Sequence, residues 1–425
     1  MRIHNVHLGS SPEACDLDIV GGLITGISPT EYATASGPKR IVLPGLVDLH
    51  THLREPGGSE SETIATGTAA AAAGGYTDVF AMANTDPVTD NVQRVEEIRR
   101  RAQGAPARVH VVSAATVGLR GNTLVDCEAM AGIGVTFFSD DGKCISDEAT
   151  MEMVLLKMAE LGTVVAQHAQ DPHIVRDGVI NARLARAAHA VGWPSEGEES
   201  IVARDIELVR RTGGRLHVCH VSTEGTVQLI RAAKRDGLPV TAEVTPHHLA
   251  LTDRDALRSG PGLKVNPPLR SDVDRAALRL AVRDGTIDVV ATDHAPHVES
   301  SKNLPWSEAA FGLTGLETAL PVVAELLTDR GTGEVDWDRV RDVMSVRPAE
   351  IGGVRGTAGN PIAVGSPATL CIVEDWSAWT VSAKDHRSRS HNTPFEGRQF
   401  RWKVSETILQ GVSTYSRSAD AGTST

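Results

Sequence analysis

Histidine and aspartate recur along this chain at places where their chemistry can be pooled: His50-Thr51-His52, Asp140-Asp141, His168, His220 and Asp293. Each group closes a short apolar run. An i, i+2 pair on an extended chain points both side chains to the same side, so His50 and His52 are aimed together. A lone HxH also suits hydrogen-bonded strand residues. Four imidazoles and at least two carboxylates gathered at one dry site would be costly to bury without a compensating cation, which makes a metal centre the physically cheaper account. Imidazole and carboxylate without thiolate suit zinc, with manganese or cobalt as other candidates. The donors exceed what one tetrahedral zinc uses and suit two ions roughly 3.5–4 Å apart, bridged by a carboxylate and a hydroxide. Such a centre acidifies bound water and polarises a carbonyl, and its natural reaction is hydrolysis of an amide-like C–N bond, or the reverse. Cys219 alternates with His220, so it is expected to point away from that face as a core thiol.

These residues need elements to bring them together. Eight apolar runs can be counted: IVLPGLVDLHTH, YTDVFAMANT, ARVHVVSAAT, GVTFFSDDG, GTVVAQHAQ, GRLHVCHVST, LPVTAEVTPHH and TIDVVATDHAPH. Between them lie Ala-, Leu-, Arg- and Glu-rich stretches with helical spacing, several ended by Gly, as a C-terminal cap predicts. This alternation predicts an α/β fold, a (β/α)8 TIM-like barrel whose strand ends carry the site. A GxGxxG fingerprint is absent after the first run, which disfavours a dinucleotide fold. The barrel is expected over residues 43–355. Residues 1–42 and 356–415 read as short strands and turns, and they are expected to pair as a small β-sandwich domain built from both chain ends. The small, polar tail 416–425 is expected to be disordered.

Composition narrows the function. The 425 residues carry 42 Lys and Arg against 54 Asp and Glu, a formal charge of −12, which argues against sequence-independent nucleic-acid binding. No run approaches the roughly 18 apolar residues of a membrane span, so no membrane association is expected. The N-terminus lacks the pattern of a secretory leader. Cys15, Cys127, Cys144, Cys219 and Cys371 have no close spacing, so the expected compartment is a reducing cytoplasm.

The motifs DLHTHLREPGG (48–58), AMANTDP (81–87), FSDDG (138–142), HVCHVST (217–223), AEVTPHHL (242–249), KVNPPLR (264–270) and ATDHAPH (291–297) occur in order, with NTPFEGR near the C-terminus. Together they strongly resemble the class I dihydroorotases of the amidohydrolase superfamily. The resemblance implies a reversible reaction between L-dihydroorotate and N-carbamoyl-L-aspartate in de novo pyrimidine (UMP) biosynthesis. It also implies two Zn2+ per subunit, with a metal-bridging hydroxide as nucleophile. By that resemblance His50 and His52 bind one zinc, His168 and His220 the other, and Asp141 bridges them. Asp293 is then both a ligand and the catalytic acid/base. Periodicity alone allows Asp140 as well as Asp141. Substrate positions implied are His52, Arg54, Asn84, Asn266 and His297, with backbone contacts at Phe311 and Gly312. Arg54 offers a fork of donors to a carboxylate, which a carboxylate-free cyclic amide would not use. The family commonly shows HCED where this chain has His168-Ala169-Gln170-Asp171, which changes what stands around His168.

Related amidohydrolases bridge their metals with a carboxylated lysine at the end of strand four. Lys143 and Lys157 read instead as solvated surface residues, which disfavours hydantoinase and allantoinase readings. His247-His248 read as packing at the mouth, and Arg99-Arg100-Arg101 as a solvated helix face. The segment Glu299–Ala310 is a candidate cover over substrate. A non-catalytic scaffold for aspartate transcarbamoylase would have lost metal ligands, and all six are present. A homodimer and a complex with aspartate transcarbamoylase both remain open on sequence.

Overall fold

The structure, a computed structural model, describes residues 1–30 and 38–417. Four strands lead the chain: β1 (Arg2–Leu8), β2 (Ala14–Val20), β3 (Leu23–Pro29) and β4 (Arg40–Pro44). Eight more strands lie in the middle region: β5 (Leu46–Thr51), β6 (Tyr76–Ala81), β7 (Arg108–Val111), β8 (Phe137–Phe138), β9 (Val164–Gln167), β12 (Arg215–Val218), β13 (Val240–Val244) and β14 (Val289–Val290). A short parallel pair, β10 (Ile180–Asn181) with β11 (Gly192–Trp193), sits in the connection after β9. The chain finishes with β15 (Leu370–Thr380), β16 (Gln399–Leu409) and β17 (Val412–Ser416).

The middle strands are all parallel. They pair as β5-β6-β7 and as β14-β13-β12-β9-β8. Parallel bridges Ser113↔Phe138 and Thr51↔His294 join the two sets and close the circuit. Asp48 reinforces the second seam, because its carboxylate accepts the amides of His50 and Thr292 together with the Thr292 hydroxyl. Val47, Leu49, Phe80, Val112, Phe137, Ala166, Cys219 and Val289 pack together in one apolar cluster. Helices connect the strands. Thr63, Asn91, Asp147, Thr223 and Ser271 cap their N-termini, and left-handed Gly162, Gly213 and Gly285 end three of them.

The run IVLPGLVDLHTH, read from sequence as one strand, divides at Pro44-Gly45 into β4 and β5, which belong to different sheets. A Cβ at Gly45 would stand 2.3 Å from the Thr77 hydroxyl, so this crossing has room only for glycine. Strand β4 joins a seven-stranded sheet ordered β17-β16-β15-β4-β1-β2-β3, to which both chain ends contribute. It is one continuous sheet rather than two separately paired ones. Strand β3 reaches back to the segment before β15 through Leu23↔Pro367 and the Ile24 amide on Ser366 O, curling the sheet over Ile3, Val6, Leu17, Ile24, Leu370 and Ile408. The alanine-rich helix Ile64–Ala73 lies against both β6 and β16, and its small side chains permit that close approach. Of the tail 416–425, all but Ser416 and Arg417 lies outside the described residues.

Candidate metal centre

The residues singled out from sequence follow the C-terminal ends of five of the parallel strands, where the chain turns out of the sheet. His50 and His52 come from the end of β5, Asp141 follows β8, His168 follows β9, His220 follows β12 and Asp293 follows β14. All six are buried. Asp141 lies at the centre. Its Oδ1 stands 3.2 Å from His50 Nε2, 3.1 Å from His168 Nδ1 and 3.6 Å from His220 Nε2, while Oδ2 stands 3.4 Å from His52 Nε2. Asp293 Oδ1 lies 3.0 Å from His52 Nε2 and 3.6 Å from His50 Nε2. The β5–β6 register shifts between Asp48 and Thr51, a local irregularity of the kind that re-aims side chains beside active sites. His220 (φ +32°), Asp293 (φ +46°) and Arg54 (φ +58°) are held in the left-handed region, so the fold keeps three site residues in a costly backbone conformation. Asp140, the alternative to Asp141, is committed elsewhere: it accepts the amides of Ala115 and Thr116, both at 2.9 Å.

The outer ring nitrogens of His50, His52 and His168 are tied down, which orients the inner ones. His50 Nδ1 meets Glu243 Oε1 at 2.6 Å, and the other Glu243 oxygen meets His217 Nε2 at 3.1 Å. His52 Nδ1 meets Asn84 Oδ1 at 2.9 Å, and His168 Nε2 meets Gln170 Oε1 at 2.9 Å. Imidazoles that ligate metals are held in this way through their second nitrogen. His50 Nε2 is buried facing the Asp141 and Asp293 carboxylates without a well-formed hydrogen bond to either, a place that a cation would satisfy. Burial works against a charged His50, yet Asp141, Glu243 and Asp293 hold its pKa well above the usual imidazole range. Burial likewise opposes ionisation of Asp293, and His50 and His52 more than offset it, keeping the carboxylate well below its ordinary value. The site thus gathers carboxylates and imidazole nitrogens about one buried point, and this donor set fits divalent metal.

Around this centre the expected substrate residues gather. Arg54 donates through Nε to Pro296 O at 3.2 Å, and its Nη2 lies 3.1 Å from His297 Nε2. Burial, followed by the Arg54 charge, pushes His297 down to about 3, so it stays neutral. Asn84 Nδ2 donates to Asp141 Oδ2 at 3.4 Å. Asn266 donates to Gln170 Oε1 at 3.0 Å, and its own Oδ1 is buried without a partner. His297 Nε2 lies 2.7 Å from Phe311 O. Gly312 donates its amide to Lys264 O, and its carbonyl accepts from Lys302 Nζ and Asn392 Nδ2, so its backbone groups are used within the protein. A Cβ there would stand 2.6 Å from Ala295 O, and φ is +139°, so this position requires glycine.

Comparison with known proteins decides the family. A family model described as dihydro-orotase-like matches residues 39–226. A dihydroorotase of Streptomyces coelicolor is 47% identical over 417 residues, covering 96% of each chain. One of Mycobacterium tuberculosis is 45% identical over 418 residues, covering 95% of each. The chain belongs to the dihydroorotase family. Among solved structures, an L-hydantoinase (dihydropyrimidinase) from Arthrobacter aurescens superposes with TM-score 0.85 at 25% identity, covering 98% of this chain and 96% of that one. A dihydropyrimidinase from Brevibacillus agri superposes with TM-score 0.82 at 24% identity, covering 97% and 94%, and shares the fold.

In this chain Lys143 is exposed, and Lys157 pairs with Glu128 and Glu160 at the surface, so neither reaches the centre. His247 and His248 are buried with their rings tilted against each other, centroids 4.8 Å apart, and burial pushes His247 down to about 4. Cys219 is buried within reach of His50 and Glu243, lying beneath the centre, and burial pushes its thiol up to about 12. Sequence reasoning assigned no role to Glu243 or Asn392. A lone carboxylate inside the apolar run VTAEV was the available signal for Glu243. Asn392 Oδ1 accepts the His297 amide at 3.4 Å while its Nδ2 donates to Gly312 O at 3.1 Å, which brings the NTPFEGR motif onto the mouth.

Proposed function

We propose that the protein interconverts L-dihydroorotate and N-carbamoyl-L-aspartate in de novo pyrimidine biosynthesis, using two zinc ions. The observation that carries this reading is the convergence of four imidazoles on Asp141, with Asp293 beside them and Arg54 at the rim. His50, His52, His168, His220, Asp141 and Asp293 would hold the metals, which when bound supply an acidified water and polarise a carbonyl. Asp293 carries the proton between the attacking oxygen and the departing ring nitrogen, beginning hydrolysis as an ionised carboxylate that accepts it. Ring closure uses the same carboxyl with the proton flow reversed. Arg54 binds the substrate carboxylate through its planar fork, with Asn84 and His297 beside it. Asn266 Oδ1 accepts a ring N–H, and the Phe311–Gly312 backbone walls the pocket.

The closed circuit of parallel strands is read as a (β/α)8 barrel over residues 43–355. The curled sheet from residues 1–42 and 356–415 is read as a small β-sandwich domain. Five free cysteines fit a reducing cytoplasm, and among the described residues no helix is long and apolar enough to cross a membrane.

The hydantoinase likeness in structure favours a second reading as another cyclic-amide hydrolase. Asp141 at the centre, with Lys143 and Lys157 at the surface, and a half-buried arginine at the rim weigh against it. Metal analysis of purified protein is expected to find two zinc ions per chain, and dihydroorotate is expected to turn over faster than hydantoin or allantoin. Faster turnover of either competitor, or a protein that binds no metal when zinc is supplied, would overturn the assignment.

A further inference from the structure

Gln170 lies two residues beyond His168, between the end of β9 and a short helix that Asp171 caps by accepting the His173 amide. Its side-chain oxygen accepts from His168 Nε2 at 2.9 Å and from Asn266 Nδ2 at 3.0 Å. An amide oxygen has two lone pairs, and both are used here. One atom therefore makes two decisions. It places the His168 proton on Nε2, which leaves Nδ1 to face Asp141 Oδ1 at 3.1 Å and His220 Nε2 at 2.9 Å. It also commits the Asn266 amino group, leaving the unpartnered Asn266 Oδ1 as the acceptor for a ligand N–H.

The partner's charge matters as well. His50 is backed by the buried carboxylate of Glu243, whereas His168 is backed by a neutral amide. An imidazole that donates to a carboxylate is the more basic ligand. We infer that Gln170 is a positioning residue that couples the metal centre to substrate recognition through His168 and Asn266, and that it makes the His168/His220 metal position the weaker of the two. This rests on the proposed function and deepens it.

The test is stepwise removal of zinc from the loaded protein with a competing chelator, read together with KM for dihydroorotate in wild type, Gln170→Met and Gln170→Glu. Wild type is expected to release its two ions in two phases. In Gln170→Met the weaker phase shifts ~10–100-fold toward lower affinity and KM rises. Gln170→Glu is expected to restore the bond to His168 and bring the two phases closer together. A double-mutant cycle of Gln170→Met with Asn266→Ala should be non-additive in KM, because both changes break the same contact. The inference is overturned if Gln170→Met releases zinc and binds substrate as wild type does, or if Gln170→Glu holds zinc no better than Gln170→Met. A wild-type protein that neither holds zinc nor turns over dihydroorotate would instead sink the underlying function. Those two failures are read from different proteins and stay distinguishable.

Discussion

Asp293 touches both imidazoles of the HxH pair and sits at positive φ at the end of β14, so its position is over-determined by the fold. Replacing it with alanine should leave circular dichroism and the melting curve near wild type while turnover falls by ~10²–10⁴, the usual worth of general acid/base catalysis. Near-normal turnover would remove it from the proton path. Arg54 is positioned differently, held by Pro296 O and set against His297. Lysine keeps the charge but loses the planar fork, so Arg54→Lys should raise KM by about tenfold or more with a smaller change in kcat. Steady-state kinetics that show an unchanged KM would place the substrate carboxylate elsewhere.

At the scale of elements, the segment after β14 is the one that sequence marked as a cover. It is pinned in the structure. Lys302 is buried, and its Nζ donates to Lys264 O at 2.9 Å, Ala310 O at 2.8 Å and Gly312 O at 2.9 Å. Lys264 reciprocates by donating to Trp306 O and lying over the Phe311 ring. One side chain thus binds three carbonyls, and it is the donor that Ala310 O is given. Lys302→Met keeps the volume and strands Ala310 O, while Lys264 O keeps the Gly312 amide and Gly312 O keeps Asn392 Nδ2, which should cost roughly 1–3 kcal/mol. Hydrogen exchange should accelerate across residues 303–312, and unchanged protection there would show that other contacts hold the segment.

Across the whole molecule, the chain between β15 and β16 leaves the small sheet and returns to the strand circuit. Ser388 and Arg389 bond Glu62, which also meets His294 Nε2 at 3.2 Å, next in sequence to Asp293. Glu317 accepts the amides of Arg387 and Ser388, so a second, half-buried carboxyl anchors the same segment. Burial, reinforced by the Glu62 charge, pushes Glu317 from 4.5 up to about 7. The folded chain therefore holds that proton more tightly than the unfolded chain does. The contribution of Glu317 is most favourable below pH 4.5 and is lost as pH rises toward and through 7. Denaturant titrations at pH 5 and pH 8 should show wild type losing on the order of 2 kcal/mol more than Glu317→Gln across that interval. Equal losses would mean that the carboxyl titrates normally.

Residue types and local order alone determined the donor inventory, the shared side of His50 and His52, and the alternation that puts donors at strand ends. Those features depend on backbone periodicity and on which side chains bind cations, and both are local. Tertiary structure decided the rest. Asp140 and Asp141 are neighbours after a strand only two residues long, and packing against Ala115 and Thr116 is what turned one away and left the other among the imidazoles. Glu243 stands behind His50 across 193 residues of sequence, and Gln170 meets Asn266 across 96. Such partners are invisible to periodicity, because a hydrogen bond records distance in space and a closed circuit of strands brings remote segments side by side. The division at Pro44-Gly45 has the same origin: one apolar run serves two sheets because a neighbouring threonine leaves no room for a side chain where they meet.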